Sequence, residues 1–240
     1  MDPRYKSPES PVLQNETDEF RDLQAHTTLL VWLLRVGAGL AVLAIASNWM
    51  QLELLGRHYT LQEAQANDLR ERTITMSTLV IALACYAVFG RWIVLAHRNL
   101  PSLGLAYPDV TPGAALGWFF VPIANLWKPY QAMSQLWKAS LDTSNWQQQD
   151  EPPLLIAWWS LWIIAGLYGS LMLAANHPGK TVAELIGTTR WLLIGFALRA
   201  PQYVIAWFMV RKIWEAQAAQ RRRQLAGRHA VELQGLVAPA

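Results

Sequence analysis

Four stretches of this chain are long and apolar enough to cross a lipid bilayer. They cover about residues 29–50, 74–97, 154–175 and 191–212, and none contains an aspartate or a glutamate. A bilayer core about 30 Å thick needs roughly 20 helical residues. Such runs fold as helices, because lipid cannot satisfy free backbone amides. The sequence therefore predicts an all-α polytopic membrane protein with four transmembrane helices, and disfavours buried core helices of a soluble protein.

The composition agrees with this fold class. Charged residues make up 15% of the 240 residues, against about 25% in soluble domains. A single cysteine, Cys85, excludes a disulfide framework, and its place within the second stretch predicts an inert packing residue. We expect one membrane domain over residues 27–214, preceded by a polar cytoplasmic arm (1–26) and followed by a basic cytoplasmic tail (215–240).

The distribution of basic residues predicts the orientation. Twelve lysines and arginines lie in the arm, in the long loop between the second and third spans, and in the tail, whereas five lie on the opposite side. Positive charge is retained on the cytoplasmic side, so both termini are expected there. Within the tail, Arg221, Arg222 and Arg223 either attract anionic lipid or serve only as an orientation signal.

A fifth apolar stretch is too short to span the membrane. Residues 114–127 number only 14, and Pro122 interrupts them. We therefore predict a re-entrant or interfacial helical segment over residues 112–140. Its second half, residues 128–140, has amphipathic helical spacing. That helix either lies on the membrane surface or packs on the bundle as a cap.

Local patterns predict two further features. Thr60 and Glu63 have the spacing of a capping box, which indicates a helix start ahead of the second span. Small residues four apart, Gly37 with Ala41 and Gly166 with Ser170, favour close helix packing within or between protomers.

The run GWFFVPIANLWKPYQAM at residues 117–133 resembles the signature of a bacterial membrane-protein family catalogued only as a domain of unknown function. The similarity covers about residues 77–217. It implies a multi-pass protein of the bacterial cytoplasmic (inner) membrane. The family carries no established activity, so the resemblance transfers no catalytic assignment. The residues that fit the signature are Trp92, Asn99, Gly117, Trp118, Pro122, Asn125, Trp127, Pro129 and Tyr130.

Arginines inside the spans are the candidate binding residues. Arg199 lies near mid-depth, where an arginine costs about 2.5–3.5 kcal/mol on insertion scales and needs a partner. That partner is either the free carbonyls before Pro122, with Asn125 joining in, or an anionic head group or substrate, or water in a cavity. Gln202 shares the face of Arg199. Arg35 and Arg91 are shallower and can snorkel, but if the spans converge the three guanidiniums form one cationic pocket.

No sequence pattern supports catalysis. The five histidines are scattered without metal-ligand spacing, and no nucleotide or nucleophile motif is present. We expect no enzyme activity, no cofactor and no nucleic acid partner. The favoured function is a membrane-embedded binding or scaffold protein engaging anionic lipid, a small anion, a partner membrane protein or a second copy of itself. The alternative is a small transporter or channel subunit, and a membrane enzyme is third.

Overall fold

The structure, a computed structural model, describes residues 19–105, 107–175 and 181–237, with side chains up to residue 230. These residues form helices and connecting turns without a β-strand. The long helices are α1 (Gln24–Leu55), α2 (Leu61–Arg98), α5 (Pro153–Ala175) and α6 (Val182–Val237), and the short ones are α3 (Pro112–Gly117) and α4 (Lys128–Leu141). All four long helices could cross a membrane by length and composition. The predicted all-α fold with four candidate spans is confirmed.

The helices extend beyond the predicted spans into polar sequence. Helix α6 continues through the basic residues of the predicted tail as far as Val237. Of the predicted arm, residues 1–18 lie outside the described residues, and α1 begins at Gln24. Helix α2 begins at the predicted capping box: the Thr60 hydroxyl accepts from the Glu63 amide (3.2 Å), and the Glu63 carboxylate accepts from the Thr60 amide (2.8 Å). The hydrogen bond from the Thr60 amide has the largest effect on the pKa of Glu63, and the hydrogen bond from Arg57 adds to it. Together they lower that pKa to about 2.

Helix α1 runs antiparallel to both α2 and α6. At one end the Trp92 indole donates to the Thr27 hydroxyl (3.0 Å). At the other end the Gln51 amide donates to the Thr189 hydroxyl (2.9 Å). These bonds fix the register of three helices, and they lie at opposite ends of the bundle.

A close approach between α1 and α6 depends on a glycine. A Cβ atom built at Gly37 would lie 2.9 Å from a ring carbon of Tyr203. The close packing predicted at Gly37 is therefore found. At Gly166 an added Cβ would meet nothing within 4 Å in the described chain. The Gly166–Ser170 pair makes no close helix contact there, and its use between protomers stays a prediction.

The connection from α2 to α5 folds into a cap over one end of the bundle, consisting of residues 101–105 and 107–148. Within it, α4 buries Ala132, Met133, Leu136 and Ala139 completely against the bundle. The side chain of His97 at the end of α2 contacts the carbonyl oxygen of Ala132 at 3.2 Å. Of the two alternatives for this helix, the packed one is observed, because most of its surface is covered by α6 and its neighbours.

Candidate functional site

A cleft separates α2 from α5 and α6. It consists of a cap-side cavity of about 470 Å³ and an adjoining far-side cavity of about 240 Å³. The two cavities share Ala82 and Arg199 in their linings. Lining residues on α2 run from Thr75 to Gly90, which is about 22 Å at 1.5 Å per residue. The cleft thus extends along most of the thickness of a hydrocarbon core.

Arg199 stands at the junction of the two cavities. Its side chain is exposed to the cleft, and no hydrogen bond or ion pair joins it to any residue that the structure describes. Gln202, one turn further along α6, lines the cap-side cavity beside it. Pro201 lies inside the same helix, so the carbonyl of Ala197 lacks the amide donor that would otherwise bond it. This part of α6 places a free cation and an amide on one wall.

Aromatic side chains form the other walls of the cap-side cavity. Phe89 of α2 contacts Phe119 edge to face at 6.2 Å and Trp158 of α5 at 6.1 Å between ring centroids. Phe119 also meets Trp162 edge to face at 6.3 Å. Because Phe119 follows α3 in the cap, it closes the cavity at that end, and the mutual ring contacts hold the walls in place.

The break at Pro122 does not recruit Arg199, contrary to expectation. The Val121 carbonyl accepts from the Asn125 amide (3.0 Å), and the Pro122 carbonyl accepts from the Ala124 amide (2.7 Å). The backbone therefore supplies its own donors here, through a γ-turn centred on Ile123, which is held at φ 68°, and through an i+4 bond from Asn125. The expectation that Arg199 and Asn125 pair with free carbonyls here is wrong, and Asn125 lines neither cavity of the cleft.

The three span arginines do not converge either. The Arg35 guanidinium stacks on Trp207, 4.1 Å from the ring centroid, and lies 5.4 Å from the centroid of Trp32. Trp207 is eight residues beyond Arg199 on α6, about 12 Å away along the helix. Arg91 is exposed, and neither it nor Arg35 lines the cleft. The expected three-arginine pocket is replaced by a site with Arg199 and Gln202 alone among the candidate residues.

The signature residue Asn99 belongs to a buried hydrogen-bond network where the bundle meets the cap. Asn99 is fully buried; its side chain accepts from the Arg21 amide and donates to the Arg21 carbonyl, both at 2.9 Å. It also donates to Gln217 of α6 (3.3 Å), whose own amide donates to the Ala96 carbonyl (3.0 Å) and the Ser140 hydroxyl (3.1 Å). Gln217 is not identifiable as a junction residue from the sequence, because it lies in polar sequence after the last span.

A second polar cluster ties the cap to the start of α5. Glu151 accepts from the hydroxyls of Tyr130 (2.9 Å) and Ser134 (2.9 Å) and from the Lys138 ammonium (2.8 Å), which share one face of α4. Burial raises the pKa of Glu151, but Lys138 and the two hydroxyls lower it more, so the net shift is downward. Burial of the Tyr130 hydroxyl raises its pKa most, and its hydrogen bond to the Glu151 carboxylate raises it further, to about 12.

The remaining signature residues are more peripheral. Pro129 is buried in the first turn of α4. The Lys128 ammonium lies 5.9 Å from the ring centroid of Trp118. Trp127, Pro122 and Gly117 are exposed, and a Cβ built at Gly117 would meet no atom within 4 Å.

The described side chains contain no group of three or more histidine, cysteine, aspartate or glutamate residues that could hold a metal ion. Cys85 is a buried free thiol that lines the cap-side cavity. The cleft at Arg199 is therefore the candidate site of the described structure.

Comparison with protein families gives one match. The matching model is described as "Domain of unknown function (DUF4328)" and covers residues 56–215. No curated protein and no solved structure matches the chain. The matched range includes α2, the cap, α5 and the part of α6 that carries Arg199 and Gln202. Because the match covers about two thirds of the chain, the protein belongs to the family described as Domain of unknown function (DUF4328).

Proposed function

We propose that this protein is a non-enzymatic, membrane-embedded binding protein that holds an amphiphilic anion in the cleft between α2, α5 and α6. One observation carries the proposal. Arg199 sits in the middle of a candidate span, exposed to a cavity, without an acceptor among the described residues. Charges inside membranes face cavities or partners and mark functional sites.

The energetics favour an external anion. Neither an aspartate nor a glutamate occurs in any of the four predicted spans, so the charge of Arg199 is not neutralised from within them. A guanidinium offers five donors in a planar fork. An anion that reaches it from the bilayer would gain charge-assisted hydrogen bonds, which are about twice as strong as neutral ones. The apolar walls of the same cleft would hold the rest of an amphiphile.

A paired set of variants tests this function. The Tm of the purified protein is measured in a neutral detergent. The ligands are a single-chain anionic amphiphile, dodecyl phosphate, and a two-chain one, phosphatidylglycerol. Phosphatidylcholine is the neutral control lipid. A ligand at 100 times its Kd stabilises by about 2.7 kcal/mol, or roughly 5–10 °C in Tm for a protein of this size. We expect this shift with at least one anion, its loss in Arg199→Gln, and its retention in the matched control Arg91→Gln.

Two results would contradict the proposal. One is an equal Tm shift in wild type and Arg199→Gln, which would place the binding elsewhere. The other is the lack of any shift with every anionic amphiphile tested. Far-UV circular dichroism of each variant at 20 °C checks that the helical fold is intact.

The proposal includes an orientation. We infer that the protein sits in the bacterial cytoplasmic membrane with the cap, the arm and the basic end of α6 in the cytoplasm, following the excess of basic residues on that side. Two variants are made in a Cys85→Ser background, and each carries one new cysteine, Arg222→Cys in one and Arg57→Cys in the other. Membrane-impermeant maleimide on whole cells should label position 57 only. Labelling of position 222 would overturn this orientation.

A small transporter remains the second candidate. The observations that favour it are the length of the cleft, about 22 Å, and the proline at position 201 inside α6, since transporters place interrupted helices at their sites. Uptake of a radiolabelled organic anion into proteoliposomes, compared with empty vesicles, separates transport from binding. Uptake that is lost in Arg199→Gln would favour the transporter.

A further inference from the structure

We infer that the occupant of the cleft is a compact organic carboxylate with a planar ring system, its carboxylate on Arg199 and Gln202 and its ring in the cap-side cavity. This inference rests on the proposed function and narrows the class of ligand. Dimensions, wall chemistry and charge each contribute to it.

The dimensions favour a compact body. The cap-side cavity holds about 470 Å³, within the 300–1,000 Å³ typical of small-molecule sites. On α6 its lining runs from Arg199 to Ala206, about 10 Å at helical rise. One leaflet of the hydrocarbon core is about 15 Å deep. A pair of membrane-length acyl chains running from Arg199 toward the cap would therefore be longer than this part of the cleft, whose cap end is lined by Phe119 and Leu116.

The walls favour a ring. Phe89, Phe119, Trp158 and Trp162 line the cavity together and come from α2, the cap and α5. Their contacts with one another are edge to face or tilted, with centroids 6.1–6.3 Å apart. A planar aromatic guest can make the same offset or edge contacts with these faces, and each such pair adds to the energy of plain apolar burial.

The charge favours a carboxylate. Arg199 supplies one positive charge, and neither cavity lining contains another lysine or arginine. A carboxylate carries one negative charge and matches the planar guanidinium fork in a bidentate pair. A phosphate monoester carries about −1.5 to −2 charges and would leave part of its charge unpaired at low dielectric. The Gln202 side-chain amide can donate to the same carboxylate, because it lies one turn away on the same wall.

The test uses 2-naphthoate as the probe and its neutral analogue 2-naphthamide. Binding to the full-length protein in neutral detergent is measured by isothermal titration calorimetry. We expect naphthoate to bind at least about tenfold more tightly than the amide and to lose about tenfold or more in Arg199→Gln. Phe119→Leu should weaken binding about threefold, because one aromatic contact is lost. Arg91→Gln should bind like wild type.

A parallel measurement with phosphatidylglycerol in nanodiscs separates the ring carboxylate from the proposed function, which is the binding of an amphiphilic anion. If it shows binding that depends on Arg199 while naphthoate does not bind, the ring carboxylate is wrong and the proposed function stands. If neither probe nor the amphiphiles above shows dependence on Arg199, both fail. If naphthoate binds wild type and Arg199→Gln equally, it is partitioning onto apolar surface, and the carboxylate site is refuted. Size-exclusion profiles and circular dichroism confirm that each variant is folded.

Discussion

Gln217 is predicted to be the polar residue on which the junction of cap and bundle most depends. Its side chain is 1% exposed. It donates to the Ala96 carbonyl and the Ser140 hydroxyl and accepts from Asn99, so it joins α2, α4 and α6. Gln217→Ala removes three hydrogen bonds, each with a net value of about 0.5–1.5 kcal/mol. The expected loss is therefore about 2–4 kcal/mol, or roughly 5–15 °C in Tm.

The assay is thermal unfolding in neutral detergent, followed by near-UV circular dichroism. The matched control is Gln131→Ala, since Gln131 is exposed on α4 and its side chain has no hydrogen bond to a described residue; it should change stability by less than about 0.5 kcal/mol. Gln217→Glu keeps the shape, but its ionised form offers acceptors only and would face the Ala96 carbonyl without a donor. Its neutral form donates only after taking up a proton at a pKa raised by burial, which also costs stability at pH 8. It should destabilise at least as much as Gln217→Ala. A Tm of Gln217→Glu equal to that of wild type would refute the reasoning.

Two further predictions concern helix packing and pH. Gly37→Ala should lower stability by about 1–3 kcal/mol, because the added methyl overpacks against Tyr203. The control Gly39→Ala has open space around it and should be neutral or stabilising. Equal Tm values for the two variants would contradict this. Because the pKa of Glu151 is lowered in the folded protein, its bonds to the cap stabilise above the ordinary glutamate pKa and are lost as the pH falls through the folded value. The stability difference between wild type and Glu151→Gln should thus close in acid. At neutral pH it should be about 1 kcal/mol or less, because the Glu151 side chain is 40% exposed. A Tm difference that widens in acid would show the opposite sign.

Much of the fold is predictable from the sequence, because lipid imposes simple rules. Four apolar runs of span length, free of aspartate and glutamate, predict four helices, and Thr60 with Glu63 predicts where α2 begins. The close contact at Gly37 follows from the preference of small residues for helix interfaces in membranes, but the same pattern at Gly166 meets nothing within 4 Å in the described chain, so the pattern alone does not distinguish the two positions. Hydropathy does not predict the polar extension of α6 to Val237. Part of that extension packs against the cap, where the Gln220 and Gln224 amides donate to the Leu103 carbonyl.

The site is only partly predictable. The depth of Arg199 in its span follows from counting residues, and Gln202 follows from helical spacing. Which side chains meet Arg199 does not follow, because that depends on the rotation of each helix in the bundle. Arg35 illustrates this: it has the same chemistry, yet it stacks on Trp207 outside the cleft. The aromatic walls come from segments about 70 residues apart in the chain, and nothing local in the sequence joins them.

Native mass spectrometry of protein extracted directly from its own membrane tests the central claim most directly. The account predicts a bound small-molecule mass in wild type and in Arg91→Gln that is absent from Arg199→Gln. Identical bound masses in all three proteins would contradict the claim that the cation in the cleft holds the ligand.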